Sequence, residues 1–222
     1  ITAGAGMGVD SGLPDFRGNQ GLWQYYPALG HQGLSFEQIA NPYSFYNSPH
    51  LAWGFYGHRL QLYRHTVPHK GFQLLLDLAQ NLTHGYFVFT SNVDGQFQKA
   101  GFNSQRIFEC HGSIHFLQCM QPCKPIVWSN DHQPVIDKDN CQWLGKLPKC
   151  PHCQGLARPN ILMFGDWQWL DHRYDQQKQC MLNWLRQVQR PVVIEIGAGS
   201  AIPTVRHFSE QFAPRLIRIN PT

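Results

Sequence analysis

Four cysteines have the spacing of metal ligands. Cys119 and Cys123 form one close pair, Cys150 and Cys153 form a second, and residues 124–149 separate the pairs. Two short-spaced pairs of thiolates suit a tetrahedral Zn²⁺ ion with no open coordination position, which is the arrangement of a structural site. We therefore predict a structural zinc that holds together a segment too irregular to build its own core. A nucleic-acid-binding zinc ribbon is the competing interpretation, but few basic residues lie in this loop.

The other thiols bear on the ligand set and on the compartment. The first pair has three intervening residues instead of two, so Cys141 and His152 remain possible substitute ligands. We expect Cys110 and Cys180 to be packed thiols. The chain has seven cysteines, an odd number, and four of them form two close pairs. No secretory signal is visible. These features favour reduced thiols, so we expect a cytoplasmic protein.

A glycine-rich turn opens the chain. Gly4, Gly6 and Gly8 follow an apolar start, and such a turn lets backbone amides approach a pyrophosphate; a tight turn without a ligand is the alternative. A dehydrogenase fingerprint would continue into a helix and a second strand with an acidic residue about 20 positions on. Here Pro14 and an Asp-Phe-Arg triplet intervene and residues 30–40 show no strand, which disfavours hydride transfer.

Asn92 and Asp94 directly follow the apolar run 86–90. Ligands of open α/β sheets bind at the carboxyl ends of strands, so both side chains are candidate ligand contacts. Taken alone, the Asn-Val-Asp sequence can equally cap a helix.

Composition excludes several classes of protein. The 222 residues are 42% hydrophobic and 13% aromatic, enough to build a core. The formal net charge of +4 has no basic run behind it, so we expect no nucleic-acid partner. No apolar stretch approaches the ~18 residues of a membrane span, and we expect no membrane partner.

Strand-like and helix-like patterns alternate along the chain. The buried strands are predicted at 86–90, 106–109, 161–164, 191–196 and 215–219, and helices at 70–81 and 171–189. This alternation predicts an α/β fold with a Rossmann-like, mostly parallel sheet. Ser48-Pro49 marks a further helix start.

Two stretches interrupt this alternation, and we interpret them as insertions in one core. The predicted parts are a Rossmann-like, dinucleotide-binding core of residues 1–18, 70–115 and 155–222, a helical insertion at 19–69, and a small zinc-binding module at 116–154.

Taken together, the motifs resemble those of the sirtuins, the NAD-dependent protein-lysine deacylases. The resemblance is to sirtuins of the bacterial type. The resemblance rests on GAGMGVDSGLPDFRG at 4–18, TSNVD at 90–94, CHG at 110–112, the two cysteine pairs, ARPNILMFGD at 157–166 and IGAGSAIP at 196–203. It covers nearly the whole chain in the correct order. Gly8 stands where the family has Ser, and Ser91 where it has Gln.

The resemblance implies NAD as co-substrate and a set of residues that bind it. In the family, nicotinamide leaves the ribose and the acyl oxygen of a modified lysine attacks C1′, releasing nicotinamide and O-acyl-ADP-ribose. Asn92 would position ribose and water, and His111 would be the general base, since an imidazole titrates near neutral pH. The implied NAD contacts are Gly4, Ala5, Gly6, Asp15, Phe16, Arg17, Trp23, Ser91, Asn92, Asp94, Gly197, Ala198, Gly199, Ser200 and Asn220.

The resemblance also implies a substrate site for acyl-lysine proteins or peptides. Phe164 and Gly165 lie in the stretch with which sirtuins hold the peptide as an added strand. Tyr56 and Arg59 match the Tyr-x-x-Arg of the desuccinylase branch, where a phenol and a guanidinium bind the carboxylate of succinyl- or malonyl-lysine. An aromatic packing residue beside a solvated arginine is the alternative. Deacetylation is thus expected, with removal of acidic acyl groups a separate prediction.

Two other functions remain open on the same scaffold. ADP-ribosyl transfer or NAD hydrolysis would release nicotinamide without an acyl-lysine, and an NAD-sensing interaction module would leave NAD intact. The acyl preference, the target proteins and the oligomeric state do not follow from the sequence.

Overall fold

The computed structural model describes residues 1–15 and 18–221. The chain divides into two compact units. The first comprises residues 1–14, 66–112 and 171–222, and the second comprises residues 15–65 and 113–170. Residues 155–170, which the sequence pattern groups with the core, thus belong to the second unit.

Six helices follow one another from Gly18 to Gln80 and six strands from Ile107 to Ile161, and helices alternate with strands in other parts of the described chain. The helices are α1 (Gly18–Tyr25), α2 (Pro27–His31), α3 (Phe36–Ile39), α4 (Pro42–Asn47), α5 (Pro49–His65), α6 (Lys70–Gln80), α7 (Gln96–Lys99), α8 (His172–Leu185) and α9 (Thr204–Glu210). The strands are β1 (Thr2–Ala3), β2 (Val88–Thr90), β3 (Ile107–Glu109), β4 (Gly112–Cys119), β5 (Val127–Ser129), β6 (Ile136–Asp137), β7 (Gln142–Trp143), β8 (Ala157–Ile161), β9 (Val193–Ile196) and β10 (Leu216–Ile219). Within the described ranges, no helix is long and apolar enough to cross a membrane.

A five-stranded sheet of order β10-β9-β1-β2-β3 organises the first unit. The pairs β10–β9, β9–β1, β1–β2 and β2–β3 are all parallel, which confirms the predicted Rossmann-like sheet. Alternating side chains bury both faces. Val88 packs in a cluster with Phe72 of α6, while Phe89 packs in a second cluster with Met181 of α8. Because both faces are covered over β1, β2 and β3, these strands read as continuous apolar runs, whereas the edge strand β10 leaves Ile217 and Ile219 exposed.

The second unit is built on α5, which begins at Pro49 as its sequence predicts. Gly54 and Gly57 are three residues apart and therefore share a face of the helix. A Cβ at Gly54 would overlap the backbone of Cys141, and one at Gly57 would lie 2.8 Å from the Trp143 ring. These glycines let α5 lie directly on the antiparallel hairpin β6–β7.

The strand predicted at 161–164 is wrong in position. The observed strand, β8, covers Ala157–Ile161 and lies beside β4 in a three-stranded sheet of order β5-β4-β8. All five of its residues are buried, including Arg158 and Asn160. The polar residues Arg158 and Asn160 interrupt the apolar pattern by which a buried strand is recognised, so the sequence did not predict a strand here.

Candidate functional site

The opening and late glycine turns pack directly on each other in the first unit. The Gly4 amide donates to the Ile196 carbonyl at 3.1 Å, and the Gly6 amide donates to the Gly197 carbonyl at 3.0 Å. A Cβ on Gly6 would lie 2.7 Å from Gly197 Cα. Gly197 itself has φ +61°, the left-handed region that glycine favours. The glycines therefore have a packing role besides any approach to a ligand.

Asn92 is attached to the opening turn. Its Nδ2 donates to the Gly4 carbonyl at 2.9 Å, and its own amide donates to Thr90 Oγ1 at 3.0 Å. Thr90 Oγ1 in turn donates to the Ala3 carbonyl at 2.9 Å. The hydroxyl of Thr90, which sequence reasoning did not single out, thus ties the end of β2 to the end of β1.

Ser91 and Asp94 complete this loop. The Ser91 amide donates to the Ala3 carbonyl at 3.2 Å. Asp94 is buried, and its Oδ1 accepts a hydrogen bond from the Gln96 amide at 2.9 Å, next to the start of α7. Asp94 therefore satisfies the first amide of α7 from the position before the N-cap, which is Gly95 and has no side-chain cap of its own.

His111 lies at the same edge of the sheet as Asn92. Thr90 and Glu109 are register partners on the parallel strands β2 and β3, and each of the two candidate residues follows two positions later. The Cys110 amide donates to the Thr90 carbonyl at 2.9 Å, extending this pairing. His111 is half-buried, and burial lowers the pKa of its imidazole. The ring therefore stays neutral, and able to accept a proton, to more acid pH than a free histidine.

The late turn carries the remaining NAD candidates of this unit. Ala198 is buried, whereas Gly199 and Ser200 are exposed. The Ala198 carbonyl accepts hydrogen bonds from Asn220 Nδ2 at 3.0 Å and from Arg206 Nε at 3.1 Å. Arg206 was missed, because a lone arginine in the amphipathic segment α9 carries no motif.

In the second unit, Trp23 and Asp15 are both half-buried. Trp23 Nε1 donates to the Leu34 carbonyl at 2.7 Å, which secures the indole in the helical segment. Ala5 belongs to the first unit and is exposed. Phe16 and Arg17, the other two residues of the predicted triplet, lie outside the described residues.

Tyr56 and Arg59 lie on α5 among aromatic side chains. Tyr56 is buried and stacks on Phe45 with ring centroids 5.6 Å apart. Burial raises the pKa of its phenol above the ordinary value, so the hydroxyl stays protonated. Arg59 is half-buried, and its Nε and Nη2 both donate to the Tyr63 hydroxyl, at 2.9 and 2.6 Å.

The stretch after β8 is held by a buried ion pair. Arg158 Nη1 and Nη2 bind the two carboxylate oxygens of Asp166 at 2.7 and 2.8 Å, and neither side chain is exposed. The pair closes the turn that carries Phe164 and Gly165. The Phe164 amide donates to the Ala40 carbonyl at 3.0 Å, and Gly165 is exposed with φ +64°.

The predicted metal ligands come together in the second unit. The sulfur atoms of Cys119, Cys123, Cys150 and Cys153 all lie within 4.8 Å of one another. The Cys119–Cys153 and Cys123–Cys150 sulfur distances are 3.5 and 3.7 Å. Four thiolates at Zn–S bonds of ~2.3 Å stand about 3.8 Å apart in a tetrahedron, so this donor set fits zinc.

The other thiols differ from one another in exposure. Cys110 packs in the core cluster with Phe89, and burial raises its pKa to about 12. Cys141 is buried outside the four-cysteine cluster, and His152 is exposed, so neither replaces a ligand there. Cys180 is exposed on α8, so its expected packing is wrong; its helix turns it away from the core.

The described residues form an α/β protein that has a Rossmann-like sheet, two apposed glycine turns and a four-cysteine site. The profile of the Sir2 family matches residues 4–198. The chain therefore belongs to the Sir2 family.

Curated relatives are named for one activity. The chain is 32% identical over 163 residues to a protein of Aquifex aeolicus named NAD-dependent protein deacylase, a match that covers 73% of this chain and 59% of that protein. It is 28% identical over 222 residues to NAD-dependent protein deacylase 1 of Archaeoglobus fulgidus, covering 98% of this chain and 79% of that protein. The chain thus spans about three fifths of the length of the first relatives it matches.

Solved structures share the fold. A Sir2 homologue in complex with NAD is 26% identical with a TM-score of 0.73, covering 100% of this chain and 77% of the other. A mutant Sir2 homologue in complex with ADP-ribose is 28% identical with a TM-score of 0.72, covering 100% and 79%.

Proposed function

We propose that this protein is an NAD-dependent protein-lysine deacylase that removes acetyl groups and also acidic acyl groups from lysine. Family membership and the names of the relatives support the activity. The observation that carries the proposal is the bond of Asn92 to the opening turn, with His111 at the end of the adjacent strand. This arrangement supports the proposal, because an amide bonded to the glycine turn and an imidazole at the end of the adjacent strand would both serve a sugar whose diphosphate lies on that turn.

In this proposal, the first unit binds the diphosphate and the sugars of NAD. Backbone amides of the opening turn (Gly4, Ala5, Gly6) and of the late turn (Gly197, Ala198, Gly199, Ser200) would contact the diphosphate and ribose. Asn220, tied to the Ala198 carbonyl, would contact adenosine. Ser91 and Asp94 would contact the nicotinamide riboside, and the second-unit residues Asp15, Phe16, Arg17 and Trp23 remain NAD contacts predicted from the resemblance.

The chemistry proposed for the site is transfer of ADP-ribose to the acyl oxygen. The C1′–nicotinamide bond breaks as the C1′–O bond to the acyl group forms, and nicotinamide leaves. His111 then accepts a proton from a ribose hydroxyl, for which its burial-lowered pKa keeps the imidazole in the basic form. The hydroxyl oxygen bonds to the acyl carbon, the carbon–nitrogen bond breaks, and the lysine amine leaves with that proton. Water then adds to the acyl carbon and gives O-acyl-ADP-ribose. Asn92, with its Nδ2 engaged by Gly4, would position the ribose and water through its remaining polar atom.

Zinc is proposed to be structural. The four thiolates would fill its coordination sphere, which leaves no position for a substrate or water. The unit that holds them contains the short strands β5, β6 and β7, which bury little apolar surface of their own. The cytoplasmic location remains a proposal from the cysteine usage of the sequence.

The acyl-lysine substrate would bind to the second unit. Phe164 and Gly165 would hold the peptide backbone, and Tyr56 with Arg59 would bind the carboxylate of a succinyl or malonyl group. The half-buried position of Arg59 supports this use, since a partly desolvated guanidinium binds a carboxylate more strongly than an exposed one.

The activity is tested by mass spectrometry of acetyl- and succinyl-lysine peptides incubated with the zinc-loaded protein, with and without NAD. We expect loss of the acyl group and release of nicotinamide only when both substrates are present. His111→Ala should reduce turnover by about 10²–10⁴-fold, while the exposed His84→Ala control keeps the parent rate. Release of nicotinamide without an acyl peptide would instead indicate hydrolysis or ADP-ribosyl transfer.

The acidic-acyl specificity is tested separately with Arg59→Met. Succinyl turnover should fall while acetyl turnover stays within about twofold, because only the distal carboxylate needs the guanidinium. If neither turnover changes, the acidic pocket is refuted and the deacetylase proposal stands.

A further inference from the structure

One turn beyond the Tyr56-x-x-Arg59 motif, α5 carries a further tyrosine, Tyr63. Its hydroxyl oxygen accepts two hydrogen bonds from the same guanidinium, from Nε at 2.9 Å and from Nη2 at 2.6 Å. Residues four apart on a helix are neighbours on its surface, so the contact follows from the spacing once the helix forms. Tyr63 is only 6% exposed, and this burial restricts its ring.

Aromatic rings surround the guanidinium as well. Its Cζ lies 5.2 Å from the Phe55 ring centroid, 5.9 Å from that of Tyr56 and 5.4 Å from that of Tyr63. Each of these rings attracts a cation through its π-face. The phenol and the rings are neutral, so these contacts orient the charge of Arg59 without cancelling it, whereas a carboxylate in the place of Tyr63 would form an internal ion pair.

We propose that Tyr63 is a positioning residue that aims the Arg59 guanidinium at the carboxylate of an acidic acyl-lysine. The inference rests on the acidic-acyl specificity proposed above. Two hydrogen bonds from one guanidinium to the Tyr63 hydroxyl fix the plane and direction of the fork before a carboxylate binds. The residue thereby restricts the geometry in which Arg59 meets a carboxylate.

Removing the Tyr63 hydroxyl should weaken binding of acidic acyl groups and leave acetyl-lysine unaffected. An arginine side chain loses considerable rotamer freedom on binding a ligand, and a partner that fixes it beforehand removes that loss from the binding step. Acetyl-lysine has no distal carboxylate and gains nothing from the orientation. The effect of Tyr63 should therefore appear in the ratio of succinyl to acetyl turnover and not in turnover as such.

The test uses the zinc-loaded full chain with saturating NAD and matched succinyl- and acetyl-lysine peptides. The variants are Tyr63→Phe, Arg59→Met, the double variant, and the exposed Tyr43→Phe as a matched control for loss of a phenol. We expect Tyr63→Phe to lower kcat/KM for the succinyl peptide about tenfold, the usual effect of deleting a hydrogen bond to a charged group. The change should lie mainly in KM, and kcat/KM for the acetyl peptide should change less than about twofold. In the Arg59→Met background, Tyr63→Phe should add nothing.

The outcomes separate the inference from the function on which it rests. If Arg59→Met reduces succinyl turnover and Tyr63→Phe does not, the role of Tyr63 is overturned alone. An equal loss for both peptides, or an additive loss in the Arg59→Met background, overturns it as well and indicates a packing role. If the parent protein removes acetyl but not succinyl, the acidic-acyl proposal is refuted together with this inference; if it removes neither, the deacylase proposal is refuted.

Discussion

The close contact between the two glycine turns predicts that substitution of Gly6 destabilises the fold even when no ligand is bound. This prediction distinguishes a packing role of the glycine from a role in ligand binding alone. A Cβ placed on Gly6 would stand 2.7 Å from Gly197 Cα and 3.0 Å from the Gly197 carbonyl oxygen. Both are backbone atoms and cannot rotate away, so Gly6→Ala must displace one turn from the other. Gly199 is two residues further along the late turn, and its Cβ would meet nothing within 4 Å. Gly6→Ala and Gly199→Ala therefore compare the same substitution at a position with no room for a methyl group and at one with room for it.

The expected loss follows from this geometry. Overpacking by one methyl group in a close contact costs about 1–3 kcal/mol. At about 2–4 °C per kcal/mol for a chain of this size, Gly6→Ala should lower the unfolding midpoint by about 2–12 °C without NAD. Gly197→Ala adds the cost of a left-handed alanine, about 1–2 kcal/mol, and should be worse. Gly199→Ala should stay within ~0.5 kcal/mol of the parent protein.

The assay is thermal unfolding of the zinc-loaded protein, followed by the NAD dependence of deacylation. If the glycines served only to let a diphosphate approach, Gly6→Ala would raise KM for NAD and leave the NAD-free midpoint unchanged. That result would refute the packing argument. The other outcome is that Gly6→Ala lowers the unfolding midpoint while only the exposed Gly199→Ala changes KM for NAD. That result would assign packing to Gly6 and ligand binding to Gly199.

Three further predictions concern the base, the metal and the buried ion pair. Because burial lowers the His111 pKa, the acid limb of kcat/KM for deacylation should have its midpoint below the ordinary ~6.5 of histidine; a midpoint above that value contradicts the role of His111 as base. Cys150→Ser should lose zinc, measured by metal analysis, and unfold at lower temperature, whereas Cys180→Ser, at an exposed thiol, should retain both metal and midpoint. Arg158→Met leaves Asp166 buried and uncompensated and should cost about 3–5 kcal/mol in urea unfolding; replacing both partners by apolar residues should restore part of that loss, and an equal or larger loss in the double variant would refute the explanation.

The local pattern predicted those parts of the fold in which apolar residues follow one regular spacing. The strands β2, β3, β9 and β10 are short apolar runs, and α6 has the helical spacing of buried residues, so each element was found within a few positions. The start of α5 at Pro49 follows from the fixed φ of proline. In contrast, β8 was misplaced because its polar Arg158 and Asn160 are buried against partners outside the strand, Asp166 eight residues on and Gln118 on β4.

The sequence by itself determined the chemistry that the chain can carry: two cysteine pairs with metal-ligand spacing, glycines where a backbone must turn, and an Asn and a His at the ends of strands. Which atoms meet was decided only by the tertiary structure. The bond from Asn92 to Gly4, the contact of Gly6 with Gly197 and the ion pair of Arg158 with Asp166 each depend on the path of the backbone. The exposure of Cys180 and the burial of Cys110 likewise differ only through the faces on which their elements place them. The reason is physical: residue type limits what a side chain can do, whereas distance, burial and partners arise when strands far apart in sequence pair side by side.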